Sequence, residues 1–86
     1  MNIRKIVGDN IRFIRQQRNI SLEDLALSIK MSRAYVEEIE QGKKNINVDQ
    51  LVQLAKVLGV EPRSLVIREY YRKLDNKNHY KVPEGR

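Results

Sequence analysis

Residues 21–42 read SLEDLALSIKMSRAYVEEIEQG, and this stretch predicts two short helices joined by a tight turn. Ser21 is a good N-cap for the first helix, with Asp24 in a capping-box-like position three residues later. Ser32 is a good N-cap for the second helix, and Gly42 is its expected stop signal. Because so few residues separate the helices, the stretch favours a helix-turn-helix with a steep crossing angle over an antiparallel hairpin.

Apolar periodicity predicts three more helices around this pair. The first covers residues 3–18, the fourth covers residues 48–58 with Val48 among its inward positions, and the fifth starts at Pro62 and reaches residue 74. Apolar and polar residues nowhere alternate for long, so no strand is expected. The predicted fold is therefore all-α, a compact five-helix domain with an extended C-terminal helix.

The charge of the chain is compatible with nucleic acid as a partner. Its 86 residues include 17 Lys+Arg and 11 Asp+Glu, which gives a formal net charge of +6. Such a balance is typical of nucleic-acid-binding domains, although a basic surface kept for solubility has the same composition. Residues 21–42 are net acidic between basic segments, so the acidic groups of the motif need an explanation of their own.

The sequence lacks the residues that a metal-binding protein, an enzyme or a membrane protein needs. The chain has no cysteine and one histidine, so no metal site is expected. We expect no enzyme activity, cofactor or small-molecule substrate, because glycine-rich phosphate loops, activated nucleophiles and carboxylates paired around a cleft are all missing from the sequence. No apolar run approaches the ~20 residues of a bilayer span, and MNIRKIVGDN lacks the apolar core of a signal peptide. These features predict a cytoplasmic protein without membrane contact.

The helix after the turn has two faces when its residues are placed about 100° apart. Val36 and Ile39 point inward, and Glu40 lies at the edge of this buried side. A buried carboxylate needs a partner, because an unpaired interior charge is costly. Arg15 and Arg18 of the first helix are both near, and we expect Arg15 to bind Glu40 through its planar guanidinium. The outward face collects Arg33, Ala34, Glu37 and Glu38.

The chain resembles the Cro/C1-type helix-turn-helix domains of phage repressors and small bacterial regulators over about residues 7–66. The matching positions are Arg15, Ala26, Ser32, Ile39, Glu40, Gly42, Leu51, Leu54, Ala55, Leu58 and Gly59. SRAY followed by IEQGKKN is also similar to controller proteins of restriction–modification systems, which are small dimers. The resemblance implies a lambda-repressor-like fold in which the arginine and glutamate that match Arg15 and Glu40 form a buried ion pair.

The resemblance also implies that the amino end of the second motif helix enters the major groove of double-stranded DNA. Arg33 has the chemistry for paired hydrogen bonds to guanine, and Ala34 is small enough to touch a thymine methyl group. Glu37 can accept a hydrogen bond from cytosine or pair with Arg33 one turn away, and both interpretations stand. Glu38 completes the candidate base-contacting set, although a solvated position at its edge is the simplest account of this residue.

Phosphate contacts must supply most of the affinity. A basic loop and a helix N-terminus follow the motif directly, which is the usual place for such contacts. The candidate phosphate-contacting residues are Arg12, Lys30, Ser32, Tyr35, Lys43, Lys44, Asn45 and Asn47. Tyr35 can instead pack its ring on the core, and Lys43 and Lys44 can simply be solvated.

Two positions depart from the family pattern. Leu22 stands where a glutamine usually fixes a phosphate, so that contact is in doubt. Lys30 stands where the turn usually holds glycine, and a left-handed turn there would strain Lys30 by about 1–2 kcal/mol.

Surplus apolar positions predict a contact beyond the small core. They are Ile6, Phe13, Ile67, Tyr70, Tyr71 and Leu74. These residues can meet across the twofold axis of a homodimer or close the chain's own core. We expect a DNA-binding domain at 1–66, a dimerising extension at 67–74 and a flexible polar tail at 75–86.

Two functions fit the sequence. The first is a sequence-specific, homodimeric transcription regulator that binds palindromic double-stranded DNA and acts as a repressor or as a controller that activates. The second is an antitoxin-like or anti-repressor-like module whose main partner is another protein, contacted through residues 62–86. The operator, the regulated genes and the sign of regulation do not follow from the sequence.

Overall fold

The computed structural model describes residues 2–68 and residue 70, and this part of the chain is all-helical without strands. It contains four α-helices and one short 3₁₀ helix. Their bounds are Ile3–Gln17 for α1, Leu22–Ser28 for α2, Arg33–Glu40 for α3, Val48–Leu58 for α4 and Pro62–Val66 for the 3₁₀ helix.

Each α-helix starts at a polar N-cap whose side chain accepts from a backbone N–H three residues later. Ser21 accepts from the amide of Asp24 at 2.9 Å, and Ser32 accepts from the amide of Tyr35 at 3.0 Å. Asn47 and Gln50 bond reciprocally, which makes a full capping box at α4. The predicted starts of α2, α3 and α4 are thereby confirmed.

The core lies where α1, α2, α3, α4 and the 3₁₀ helix converge. Its largest fully buried apolar side chains are Ile11, Ile14, Leu25, Val36, Ile39, Leu54, Leu58 and Leu65. Gly8 lets α1 approach the end of α3, because a Cβ on Gly8 would meet Ile39 O and lie 2.7 Å from Glu40 O. This close approach places the last turn of α3 directly on α1.

The turn between α2 and α3 is left-handed at Lys30, whose φ is 59°. The backbone N–H of Met31 bonds to Ala26 O at 2.9 Å across this turn, and that of Lys30 bonds to Leu27 O at 3.2 Å. Lys30 therefore adopts a conformation that costs a side-chain-bearing residue about 1–2 kcal/mol.

The predicted fifth α-helix is wrong over residues 62–67, although Tyr70 further along is helical. Pro62–Val66 is a 3₁₀ helix, and Ile67 is extended, with φ −84° and ψ 122°. Asn10, which is fully buried, donates from Nδ2 to Leu65 O and Ile67 O, both at 2.9 Å. Asn10 therefore joins α1 to the end of the 3₁₀ helix, and the Ile67 carbonyl also accepts the backbone N–H of Tyr70 at 3.1 Å.

The structure contradicts the predicted orientation of Val48 on α4. Val48 was expected to point inward, but it is 73% exposed, so that expectation is wrong. Tyr71, Leu74 and the expected tail at 75–86 lie outside the described residues.

Within the described residues, no helix is both long and apolar enough to cross a membrane. The same residues contain no acidic or histidine cluster that could hold a metal ion.

Candidate nucleic-acid interface

The amino-terminal end of α3 faces outward. Arg33, Ala34 and Glu37 are exposed, whereas Val36 and Ile39 on the opposite face are buried. Glu38 is intermediate and lies at the edge of the exposed face. The helix therefore presents the outward residues that its sequence predicts, and its other side belongs to the core.

A buried ion pair fixes the other end of α3. Arg15 Nε donates to Glu40 Oε2 at 2.6 Å, and Arg15 Nη2 donates to Glu40 Oε1 at 3.2 Å. Arg15 Nη1 also donates to Ile20 O at 2.9 Å, just before α2. Arg18, the other candidate partner of Glu40, instead donates to Leu58 O. One guanidinium thus connects α1, the segment leading into α2 and the carboxyl end of α3.

Arg33 has its ion pair with Glu23 of α2 rather than with Glu37. Arg33 Nη1 lies 3.6 Å from Glu23 Oε2, and the two side chains are 59% and 71% exposed. An exposed pair of this kind contributes little, about 0–1 kcal/mol, so it leaves Arg33 available for another partner. Sequence spacing within α3 could not indicate Glu23, because the contact crosses the turn between two helices.

Tyr35, Glu38 and Lys44 form a small cluster on one flank of α3. Lys44 Nζ lies 5.7 Å from the centre of the Tyr35 ring and 3.6 Å from Glu38 Oε1. The Tyr35 ring is half-buried and packs against the core. The structure thus brings together a candidate base-contacting residue and two candidate phosphate-contacting residues.

The loop after α3 places exposed polar groups beside the outward face. Lys43, Lys44 and Asn45 are all exposed after Gly42, whose φ of 78° turns the chain. Asn47 uses its side-chain oxygen as the cap of α4, which leaves its Nδ2 group free to donate. All four side chains can therefore donate to phosphate oxygens without disturbing the cap of α4.

The remaining phosphate candidates lie on other sides of α3. Arg12 is exposed on α1 and lines a shallow cavity of about 150 Å³ together with Leu22 and Glu37. Lys30 is exposed at the left-handed turn. Ser32 accepts the amide of Tyr35 and keeps its hydroxyl hydrogen for donation. Potential phosphate donors therefore lie on α1, at the turn before α3 and at the N-cap of α3, in addition to the loop after it.

The structure describes four of the six candidate dimer-interface residues, and all four are half-buried. Phe13 and Tyr70 are half-buried and pack against the chain's own core, and Ile6 and Ile67 are also half-buried. Tyr71 and Leu74 lie outside the described residues. The described part of this set is therefore at least partly used within one chain.

Comparison with known proteins finds a helix-turn-helix family and related control proteins. The family model HTH_3, described as a helix-turn-helix, matches residues 11–65. The control protein C.BamHI of Bacillus amyloliquefaciens is 38% identical over 66 residues, which cover 76% of this chain and 82% of that protein. The control protein C.SmaI of Serratia marcescens is 32% identical over 69 residues, which cover 80% and 82% of the two chains.

Solved structures agree with these sequence matches. The restriction-modification controller protein C.AhdI from Aeromonas hydrophila superposes with a TM-score of 0.68 at 32% identity, over 72% of this chain and 94% of that one. The hypothetical transcription factor NHTF from Neisseria superposes with a TM-score of 0.74 at 28% identity, over 81% and 80% of the two chains. The helical arrangement described above is thus found in proteins of similar sequence.

Proposed function

We propose that this chain, which belongs to the HTH_3 family of Cro/C1-type helix-turn-helix proteins, is a sequence-specific regulator of transcription that binds double-stranded DNA. The observation that carries the proposal is the placement of α3. Its amino end is exposed with Arg33 and Ala34, while the Arg15–Glu40 pair holds its carboxyl end in the core. A rigid helix with one free, chemically specific end is what readout in the major groove requires.

Arg33 supplies the main base contact in this proposal. Its guanidinium can donate two parallel hydrogen bonds to O6 and N7 of guanine, a contact worth about 1–3 kcal/mol of discrimination. To make this base contact, Arg33 must break its ion pair with Glu23. This costs little free energy because the pair is exposed. Ala34 permits close approach beside it, and Glu37 can accept from cytosine N4.

Phosphate contacts on both sides of α3 supply affinity and fix its position. Lys43, Asn45 and Asn47 lie on one side, with the amide groups at the start of α4. Arg12 is exposed on α1, and Lys30 is exposed at the turn before α3. This division explains why α3 itself is acidic in an otherwise basic chain, because Glu40 stabilises the fold and Glu37 acts on bases rather than phosphates.

The regulator acts as a homodimer on a palindrome in this proposal. One domain of this size contacts few base pairs, whereas two α3 helices spaced by about 34 Å would read two half-sites one turn of DNA apart. Bound across a promoter the dimer would occlude polymerase, and bound upstream it would recruit it. The relatives named control proteins support a controller of a restriction–modification system as the specific role.

Selection of bound sequences from a random pool of DNA duplexes tests this function. We expect enrichment of one palindromic sequence with guanine at a fixed place in each half-site. Arg33→Ala should lose discrimination at that guanine, whereas a substitution at exposed Lys56 on α4 should leave it unchanged. A pool from which no sequence is enriched, at salt concentrations where the protein still binds DNA, would contradict the proposed specificity.

A further inference from the structure

Glu38 connects the end of α3 to the loop that follows it. Its backbone carbonyl accepts the N–H of Lys43 at 2.9 Å, and its carboxylate Oε1 lies 3.6 Å from Lys44 Nζ. The carboxylate is therefore directed at a candidate phosphate-contacting residue of the loop, on the flank of α3, and away from the outward face that the base-contacting proposal uses.

The ammonium group of Lys44 has a second neighbour on the same flank of α3. The ring centre of Tyr35, one turn before Glu38, lies 5.7 Å from Lys44 Nζ. The face of an aromatic ring attracts a cation at this distance, and the Tyr35 ring is itself packed against the core. Lys44 thus lies between a carboxylate and a ring, although its side chain is still 44% exposed.

The neighbouring residue Lys43 has no such counter-charge. It is exposed, and it takes part in none of the ion pairs within the part of the chain that the structure describes. Before DNA binds, the charge of Lys43 is therefore uncompensated, whereas the charge of Lys44 is balanced by Glu38. Two adjacent lysines of one loop thus meet DNA in different electrostatic states.

We propose that Glu38 is an internal counter-ion of Lys44 that a DNA phosphate replaces, so that Glu38 sets the affinity for DNA of any sequence without contacting a base. The proposal rests on the proposed function, because it assigns a role within the same DNA-binding surface. An exposed ion pair is weak, and lysine has a long flexible stem, so Lys44 can exchange one oxygen partner for another without any movement of α3.

The exchange has a characteristic dependence on salt. Each lysine that neutralises a phosphate releases a cation from the DNA and adds about 0.9 to the slope of log affinity against log salt. When Lys44 leaves Glu38, the carboxylate regains a cation from solution, and this uptake offsets the release. Lys44 therefore adds less to the slope than Lys43 does, and the chain binds arbitrary DNA less tightly than its formal charge of +6 would suggest.

Glu38→Gln tests the exchange, because glutamine keeps the shape of the side chain and removes its charge. Fluorescence anisotropy with a duplex of random sequence, at roughly 50–200 mM salt, measures affinity and slope. We expect the affinity to rise by up to about fivefold and the slope to steepen by up to about 0.9 per chain. An unchanged affinity and slope would overturn the proposal.

Glu61→Gln is the matched control. Glu61 Oε1 lies 2.7 Å from Arg63 Nε in another exposed ion pair, beyond the carboxyl end of α4, whose length of roughly 16 Å separates it from the loop. The substitution removes the same charge from the chain, and we expect it to leave the affinity and the slope nearly unchanged. Equal gains for Glu38→Gln and Glu61→Gln would reduce the effect to net charge and overturn the proposal.

A Lys44→Ala background shows whether Glu38 acts through Lys44. Without the ammonium group, Glu38→Gln should change affinity and slope no more than Glu61→Gln does. The same gain with and without Lys44 would mean that Glu38 repels DNA directly, which contradicts its role as the counter-ion of Lys44. Should Glu38→Gln lose its cooperative thermal unfolding, Glu38→Ala serves for the same measurements, since alanine favours a helix.

Selection from a random pool of duplexes distinguishes this proposal from the proposed function. Glu38→Gln should enrich the same sequence as the wild-type chain, and a changed preference at any base pair would show that Glu38 contacts a base and overturn the proposal. If neither protein enriched a sequence, the proposed specificity alone would fail, because the exchange at Lys44 is measured on DNA of random sequence.

Discussion

Arg15 Nε lies 2.6 Å from Glu40 Oε2, so a buried ion pair joins α1 to the last turn of α3. The Arg15 and Glu40 residues are 9% and 6% exposed. Glu40→Ala would leave the guanidinium buried without its counter-charge, and we expect it to lower the free energy of unfolding by about 3–5 kcal/mol. Urea denaturation followed by circular dichroism measures this change.

The exposed pair of Lys5 and Asp9 on α1 provides the control. Lys5 Nζ lies 2.8 Å from Asp9 Oδ1, but the side chains are 57% and 36% exposed. Asp9→Ala should therefore lower the stability by less than about 1 kcal/mol. If both alanine variants lost the same small amount, the Arg15–Glu40 pair would not be the anchor of α3.

Gly8→Ala should destabilise the protein although alanine is the better helix former. Alanine gains about 0.5–1 kcal/mol over glycine inside a helix. Its Cβ would nevertheless collide with Ile39 O and Glu40 O, which are backbone atoms and cannot rotate away. Overpacking of this kind costs about 1–3 kcal/mol, so we expect a net loss of stability in thermal or urea unfolding.

Gly59→Ala is the control for Gly8→Ala, because it introduces backbone strain without a steric collision. Gly59 has a φ of 77°, and its added Cβ would meet only Arg18 Nε at 3.9 Å. Alanine there suffers from the left-handed conformation alone, at about 1–2 kcal/mol. The two variants should also differ in function, because Gly8→Ala displaces α3 and should weaken specific DNA binding in the folded protein, whereas Gly59→Ala should not.

Much of the motif could be predicted because it depends on local sequence. The caps at Ser21 and Ser32 use backbone groups three residues away, so a short stretch of sequence contains both partners. The two faces of α3 follow from helical periodicity, and the position of Glu40 on the wheel indicates that it needs a partner in the core.

What could not be predicted depends on contacts between distant residues. Asn10 binds the carbonyl groups of Leu65 and Ile67 across more than fifty positions, where a 3₁₀ helix and an extended residue stand in place of the predicted α-helix. The periodicity of α4 predicts that Val48 points inward, but this first residue of the helix is 73% exposed. The pair of Glu23 and Arg33 likewise depends on the angle between α2 and α3.

Lys30→Gly should change stability and DNA binding in opposite directions. The φ of Lys30 is 59°, and relief of its strain exceeds the entropic cost of glycine, for a net gain of roughly 0.5–1 kcal/mol in unfolding experiments. If Lys30 binds a phosphate as proposed, DNA affinity should fall despite the higher stability. Asn19→Gly, at a φ of 58°, should gain less because asparagine tolerates this conformation.

Lys43→Ala should weaken DNA binding uniformly across sequences. If Lys43 neutralises one phosphate in each half-site, its loss should reduce the slope of log affinity against log salt by about 0.9 per chain. Lys56→Ala, an exposed site on α4, should leave the slope unchanged. Equal slopes for Lys43→Ala and the wild-type chain would exclude the phosphate contact.

Glu23→Gln should strengthen DNA binding through Arg33. The Glu23 carboxylate lies 3.6 Å from Arg33, and this ion pair must break before Arg33 contacts a base. Because Glu23→Gln removes that cost, we expect up to about a fivefold gain in affinity for the selected site. Asp24→Asn removes the same charge from the next residue of α2 and controls for general electrostatics. In an Arg33→Ala background, Glu23→Gln and Asp24→Asn should have equal effects. If Glu23→Gln kept its larger effect there, Glu23 would act on DNA directly rather than through Arg33.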